Sequence, residues 1–171
     1  NDIVRIAPIR VAERGAPAVV GSQLKRYLSE NILFEDDGLL IINKPSGLAV
    51  HGGSGISLGA IEAMRIERPE LRFLELVHRL DRETSGCLMF AKKRAVLVEI
   101  QQAMQRNQIQ KNYLTLVKGV WPKGKSTVNA PLRKNQISSG ERIVRVDAEG
   151  KASVTHFKIN RRFKEATLLD V

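Results

Sequence analysis

Val77-His78-Arg79-Leu80-Asp81-Arg82-Glu83-Thr84-Ser85-Gly86 separates two short apolar runs, residues 73–77 and 87–91. Each run has the length and composition of a strand, so the stretch between them reads as a loop joining two strands. It sets one carboxylate, Asp81, among two arginines, a histidine and two hydroxyls. Cationic neighbours keep a carboxylate ionised, and short polar residues with a glycine leave room for a ligand. Such a group can act as a nucleophile or as a base. A plainer reading stands beside it. Asp81 can cap a turn through its own backbone, with Arg79 and Arg82 solvated, Thr84 and Ser85 as turn hydroxyls and Gly86 as a backbone requirement. Read alone, the turn aspartate is the commoner occurrence.

Outward from this loop the chain alternates sheet and helix signals. Residues 32–35 and 39–42, joined by Asp36-Asp37-Gly38, predict a β-hairpin. Lys44-Pro45-Ser46-Gly47 ends it, and Gly52-Gly53-Ser54-Gly55 reads as a loop. Leu58, Ile61 and Met64 have helical spacing, with Ser57 as the expected cap and Pro69 as the stop. Val96, Leu97, Ile100, Ala103 and Met104 form the apolar stripe of a second helix. From Gln110 the chain is mostly β, with strands expected over 113–118, 142–146, 153–159 and 166–171. Short polar turns between strands predict mainly antiparallel pairing. The class is α+β. Residues 3–11 read as a strand with a tail, and residues 12–21 as a linker.

Length and composition exclude several classes. The 171 residues, 43% hydrophobic, allow one sizeable core and argue against disorder. No apolar run approaches the roughly 20 residues of a membrane span. The start, Asn1-Asp2-Ile3-Val4-Arg5, carries neither a signal-peptide pattern nor a methionine, which makes a fragment the expectation. Cys87 is the sole cysteine, so no internal disulfide framework exists and a reducing, cytoplasmic setting is expected. The net charge is +10, and most of it lies between Lys123 and Lys164, where eleven basic residues face three acids. A one-sided charge of this size implies a polyanionic partner, and nucleic acid fits better than a membrane because no basic amphipathic helix accompanies it. A basic surface that binds nothing is the alternative.

Two further clusters could carry chemistry. In Lys44-Pro45-Ser46-Gly47 with His51, a lysine before a rigid turn could meet a phosphate, or could be a solvated residue at a hairpin end. In Lys111-Asn112-Tyr113, a tyrosine at a strand start could stack on a base and offer its hydroxyl as an acid or base, or could pack in the sheet. His51, His78 and Cys87 lack the spacing of a zinc site. The glycines at 52, 53 and 55 match neither a P-loop nor a dinucleotide fingerprint.

Taken together, Lys44-Pro45-Ser46-Gly47…His51, His78-Arg79-Leu80-Asp81…Thr84-Ser85-Gly86 and Lys111-Asn112-Tyr113 resemble the bacterial RluA-type RNA pseudouridine synthases, in order and in spacing. The central block is highly specific, and the other two are weak alone. The wider similarity, through residues 73–77 and 139–146, resembles the member that modifies several uridines of large-subunit (23S) ribosomal RNA. The resemblance implies an α+β catalytic domain with a mixed, mainly antiparallel sheet and a central cleft. It further implies an S4-like RNA-binding domain ending at 1–14, a linker over 15–31, and a catalytic domain over 32–171, truncated at its C-terminus. Asp81 and Tyr113 are then the catalytic residues, and Arg79, His78, Lys44, Thr84 and Lys111 contact RNA. A uridine is flipped from its stack, Asp81 attacks or deprotonates the ribose, and the base is rejoined through C5. No cofactor or metal is implied; the partner is ribosomal RNA, the protein is a monomer, and no membrane is involved.

The family pattern also includes a later Gly-Arg-x-His-Gln-Ile-Arg block whose first arginine pairs with the catalytic aspartate. It is expected after Val171. The expectation is therefore of a chain without activity or a complete fold by itself, or of a part of a longer polypeptide. Two other classes remain open on the residues alone: a catalytically silent RNA-binding module in ribosome assembly, and a glycoside hydrolase. The hydrolase needs two opposed carboxyl groups, which Glu83 beside Asp81 does not establish.

Overall fold

A computed structural model describes residues 20–53, 58–136 and 142–171. The readings of residues 3–11, of the S4-like segment at 1–14, and of Ser57 as a cap lie outside the described residues. The chain divides into two compact units, one ending at Ile109 and the other running Gln110–Val171.

The first unit contains helix α1 (Ser22–Glu30), strands β1 (Ile32–Glu35) and β2 (Leu39–Lys44), helix α2 (Ala60–Glu67), strands β3 (Glu75–Leu76) and β4 (Gly86–Ala91), and helix α3 (Arg94–Gln105). Its four strands form one antiparallel sheet in the order β1-β2-β4-β3. The expected hairpin forms around Asp36, whose carboxylate accepts the N–H groups of Gly38 (2.8 Å) and Leu39 (2.7 Å). Alternation along β2 turns Leu40, Ile42 and Lys44 inward. Leu40 stands opposite Phe90, Ile42 opposite Leu88, and Lys44 opposite Gly86.

Leu28, Ile61, Met64, Leu74 and Leu80 close over that face to make one core. Each such side chain contributes ~1.5–3 kcal/mol by leaving water. Leu28 belongs to α1, so the stretch read as linker from 15 to 31 is a core-forming helix over Ser22–Glu30. Its apolar anchors Leu24, Tyr27 and Leu28 stand at i, i+3 and i+4, a helical spacing that the linker reading passed over. Helix α2 begins at Gly59. Glu62 accepts the N–H of Gly59 (2.9 Å) and of Gly52 (3.0 Å), tying both ends of the 52–59 loop to one carboxylate. A side chain at 59 would lie 2.5 Å from the His51 backbone, so the site requires glycine. The α3 stripe forms as expected, but all five residues stay half-buried.

The second unit is all β: β5 (Leu114–Lys118), β6 (Thr127–Asn129), β7 (Leu132–Gln136), β8 (Arg142–Val146), β9 (Val154–His156), β10 (Lys158–Arg162) and β11 (Ala166–Asp170). They pair antiparallel as a three-stranded sheet, β10-β11-β5, and two ribbons, β6-β9 and β7-β8. The strand expected over 153–159 is two strands with different partners, divided at Phe157. Among the described residues of this unit, only Thr167 and Leu169 are buried. Thr167 donates its hydroxyl to the Gly119 carbonyl (2.9 Å) and accepts the Trp121 N–H (3.0 Å). Trp121 packs on Phe157 with centroids 5.0 Å apart. The α+β class holds, and every described strand pair is antiparallel. Among the described residues, no helix is long and apolar enough to cross a membrane.

Candidate active site

Strand β3 is only two residues long because the chain leaves the sheet at Val77. The loop that follows carries Asp81, and Thr84 closes its turn by donating its N–H to the Asp81 carbonyl (3.1 Å). Gly86 ends the loop at φ +117°, a conformation that a side chain would strain. Asp81 and Arg79 are exposed, Thr84 is half-buried, and the Leu80 side chain between them is in the core. The loop thus has an apolar root and a polar crest.

The turn after β2 docks on this loop. Gly47 donates its N–H to the Arg82 carbonyl (2.9 Å), and Arg82 Nε donates to the Gly47 carbonyl (2.9 Å). Ser46 Oγ donates to the Glu83 carbonyl (2.8 Å). Beneath them lies Lys44, which has no exposed surface. Its Nζ donates to the carbonyls of Pro45 (2.9 Å), Leu48 (2.8 Å) and Arg82 (2.9 Å). An ammonium has three protons, and all three are used within the protein. Burial lowers the pKa of Lys44, and the charges of Glu83 and Asp81 pull it back up.

Two sequence readings are corrected here. Lys44 is neither a phosphate contact nor a solvated turn lysine: it is a buried clamp that joins the 44–48 turn to the Asp81 loop. Period-2 alternation along Leu39-Leu40-Ile41-Ile42-Asn43-Lys44 carried that signal, since it puts Lys44 on the same face as Leu40 and Ile42. Gly86 across the ladder offers no side chain to oppose it. Arg82 does not turn toward Asp81. Its head is bound to Gly47 and lies 3.7 Å from Glu83. Among the described residues, Asp81 forms no ion pair.

His78 is half-buried, and its Nε2 accepts the N–H of Met89 (3.3 Å). His51 is exposed, with Nδ1 donating to the Gly52 carbonyl (2.7 Å). Among the described residues, no group of three His, Cys, Asp or Glu side chains could hold a metal ion. In the second unit Lys111 is exposed. Tyr113 exchanges both main-chain hydrogen bonds with Val171 (2.9 Å each), extending the β5-β11 ladder by one pair, and its side chain is 43% exposed. A sheet-core tyrosine would not be so open.

The chain's geometry supplies an exposed carboxylate on a braced backbone with a buried cation beneath. Residues 38–171 match the family pattern described as RNA pseudouridylate synthase. The chain is 54% identical over 171 residues to ribosomal large subunit pseudouridine synthase C of Pasteurella multocida (strain Pm70), covering 99% of this chain and 52% of that protein. It is 55% identical over 170 residues to the protein of that name from Escherichia coli (strain K12), covering 99% of this chain and 53% of the other. The chain therefore spans about half the length of the curated relatives it matches. Among solved structures, Human RNA Pseudouridylate Synthase Domain Containing 4 superposes with a TM-score of 0.69 at 26% identity, over 86% of this chain and 60% of that one. Human RNA Pseudouridylate Synthase Domain Containing 1 shares the fold, with a TM-score of 0.68 at 18% identity, over 82% and 57% of the two chains. On the match over residues 38–171, the chain belongs to the RNA pseudouridylate synthase family.

Proposed function

We propose that the protein carrying this chain converts uridines of large-subunit ribosomal RNA to pseudouridine, with Asp81 as nucleophile or base. The observation that carries the reading is the exposed Asp81 carboxylate on a loop whose main chain is held by Lys44, Ser46 and Gly47. A flipped uridine reaches such a group, and flipping costs a few kcal/mol. Asp81 attacks C1′ or removes the proton at C2′. The N1–C1′ bond breaks, the uracil rotates, and a C5–C1′ bond forms. The proton leaves C5 and one is taken up at N1, so the base is isomerised with nothing oxidised or hydrolysed.

Tyr113 stacks on the uracil and helps remove the C5 proton, a role its open ring supports. Arg79, also exposed, fills the space the base vacates, and Thr84 and Lys111 bind the RNA strand. The basic excess of residues 123–164 attracts phosphates. The catalytic domain starts with α1, since Leu28 lies in its core. The protein works in the cytoplasm as a monomer.

The test uses the full-length protein and unmodified large-subunit RNA bearing tritium at uridine C5. Wild type releases tritium, and Asp81→Asn binds the RNA but releases none. Tight binding without release by wild type would replace this reading with that of a silent assembly module.

A further inference from the structure

The point at which the chain leaves the sheet is built in an unusual way. In the antiparallel pair of β3 and β4, Glu75 stands opposite Ala91 and Leu76 opposite Phe90. The next position pairs Val77 with Met89. Val77 donates its N–H to the Met89 carbonyl at 3.1 Å, so this is a hydrogen-bonded position of the ladder. At such a position the two residues exchange both bonds, and Met89 N–H should go to the Val77 carbonyl. It goes instead to His78 Nε2, at 3.3 Å. The Val77 carbonyl is released from the ladder and meets Nε2 of Gln101, on α3, at 3.5 Å. The imidazole thus replaces a main-chain acceptor at the last rung, and the backbone is free to turn away from the sheet.

We infer that His78 is a positioning residue for the carboxylate: in its Nδ1–H tautomer it completes the β3-β4 ladder with its ring, and so fixes where the Asp81 loop departs. The inference rests on the function proposed above for Asp81. A ring nitrogen that accepts a main-chain N–H carries no proton, which leaves the proton on Nδ1. Nδ1 lies 3.4 Å from the Arg79 carbonyl, in the direction a donor requires. Asp81 follows three residues later. At its far end the loop is held by the Lys44, Ser46 and Gly47 bonds to residues 82 and 83. The ring supplies the brace at the near end, where the Val77 carbonyl has left the ladder. This reassigns His78 from contact with RNA to support of the loop that carries the reaction.

The test has two parts in the full-length protein. The first needs no activity. With histidine labelled by ¹⁵N, and the His78 signals identified by their loss in His78→Gln, the ring is expected to show a bare Nε2 and a protonated Nδ1. An Nε2–H tautomer would overturn the proposal. The second part compares His78→Phe, which keeps bulk but has no acceptor, with His78→Gln, whose amide oxygen restores one. His78→Phe should speed exchange of the Met89 amide and lower kcat, each about tenfold, with KM for RNA within about twofold. His78→Gln should recover most of both. A raised KM with kcat and Met89 exchange unchanged would return His78 to RNA contact and sink the positioning role. If wild type forms no pseudouridine, the tautomer and Met89 exchange still decide what the ring does, so the two proposals fail separately.

Discussion

The two units are made by opposite means. The first buries a continuous apolar cluster that includes Leu28, Leu40, Ile42, Met64, Leu88 and Phe90, and it folds around it. The second fully buries only Thr167 and Leu169 among its described residues, and it leaves Leu114, Leu116, Val120 and Val146 each more than 60% exposed. Its order comes from ladders. Two of its three sheets are two-stranded ribbons, which are marginal in water unless something else supports them. One ribbon even sets Arg133 directly opposite Arg145, a like-charge pair that costs stability. Among the described residues, Arg133 is offset by Asp147 and Glu149, both at 3.5 Å. The lesson is that Asp81, the carboxylate proposed to react, sits in the unit built for rigidity, whereas the unit richer in cations is built from strands with little beneath them.

The largest expected effect tests that contrast directly. Phe90→Ala should lower unfolding free energy by about 3–5 kcal/mol, whereas Leu116→Ala should change it by no more than about 0.5 kcal/mol. Denaturant titration measures both, and equal losses would break the comparison. Next comes Lys44→Met, which keeps the bulk of the stem but takes a donor from three carbonyls, of which Arg82's alone keeps another, the Gly47 N–H. It should cost about 2–3 kcal/mol and remove most pseudouridine formation with RNA affinity retained. If RNA binding alone weakened, Lys44 would be a phosphate contact after all.

The smallest effect is electrostatic. Burial works against ionisation of Glu35, but the hydrogen bond from Lys92 and the charges of Arg68 and Lys92 outweigh it and lower its pKa. A carboxylate with a lowered folded pKa adds stability above its ordinary value and loses it as pH falls through the lowered one. Glu35 holds Arg68 (2.6 Å) and Lys92 (2.9 Å), so the first unit should lose stability on acidification, and Glu35→Gln should flatten that loss. Trp121 is the sole tryptophan and lies in the second unit, so its fluorescence follows that unit separately. A Trp121 transition that moves with Glu35→Gln would show that the units unfold as one.

Much of this organisation was legible from local chemistry. The β1-β2 hairpin announced itself because Asp36-Asp37-Gly38 is a turn by its own hydrogen bonds. Helix α3 followed from a stripe at helical spacing, and the strand expected over 142–146 is β8. The Asp81 loop was found by composition alone. What failed were features set by partners distant in sequence. Helix α1 is the exception, since Leu24, Tyr27 and Leu28 already stand at helical spacing and were passed over. The strand expected over 73–77 is Glu75–Leu76, and at its C-terminal end the His78 ring takes over the ladder at Val77. Arg82 was misread because adjacency to Asp81 said nothing of the Gly47 carbonyl that claims it. Lys44 was misread for the opposite reason: its residue type suggested solvent, while its place in the alternation already pointed inward.

The burial of Lys44 also gives the protein a chemical clock. Every reagent that acylates or alkylates amines needs a bare, accessible nitrogen, and this one is fully enclosed with its protons committed to three carbonyls. Lys44 can be tagged only while the 44–48 turn and the Asp81 loop are apart. Its labelling rate, read beside the rapidly tagged exposed lysines 111 and 134, therefore counts how often the Asp81 loop comes off its support.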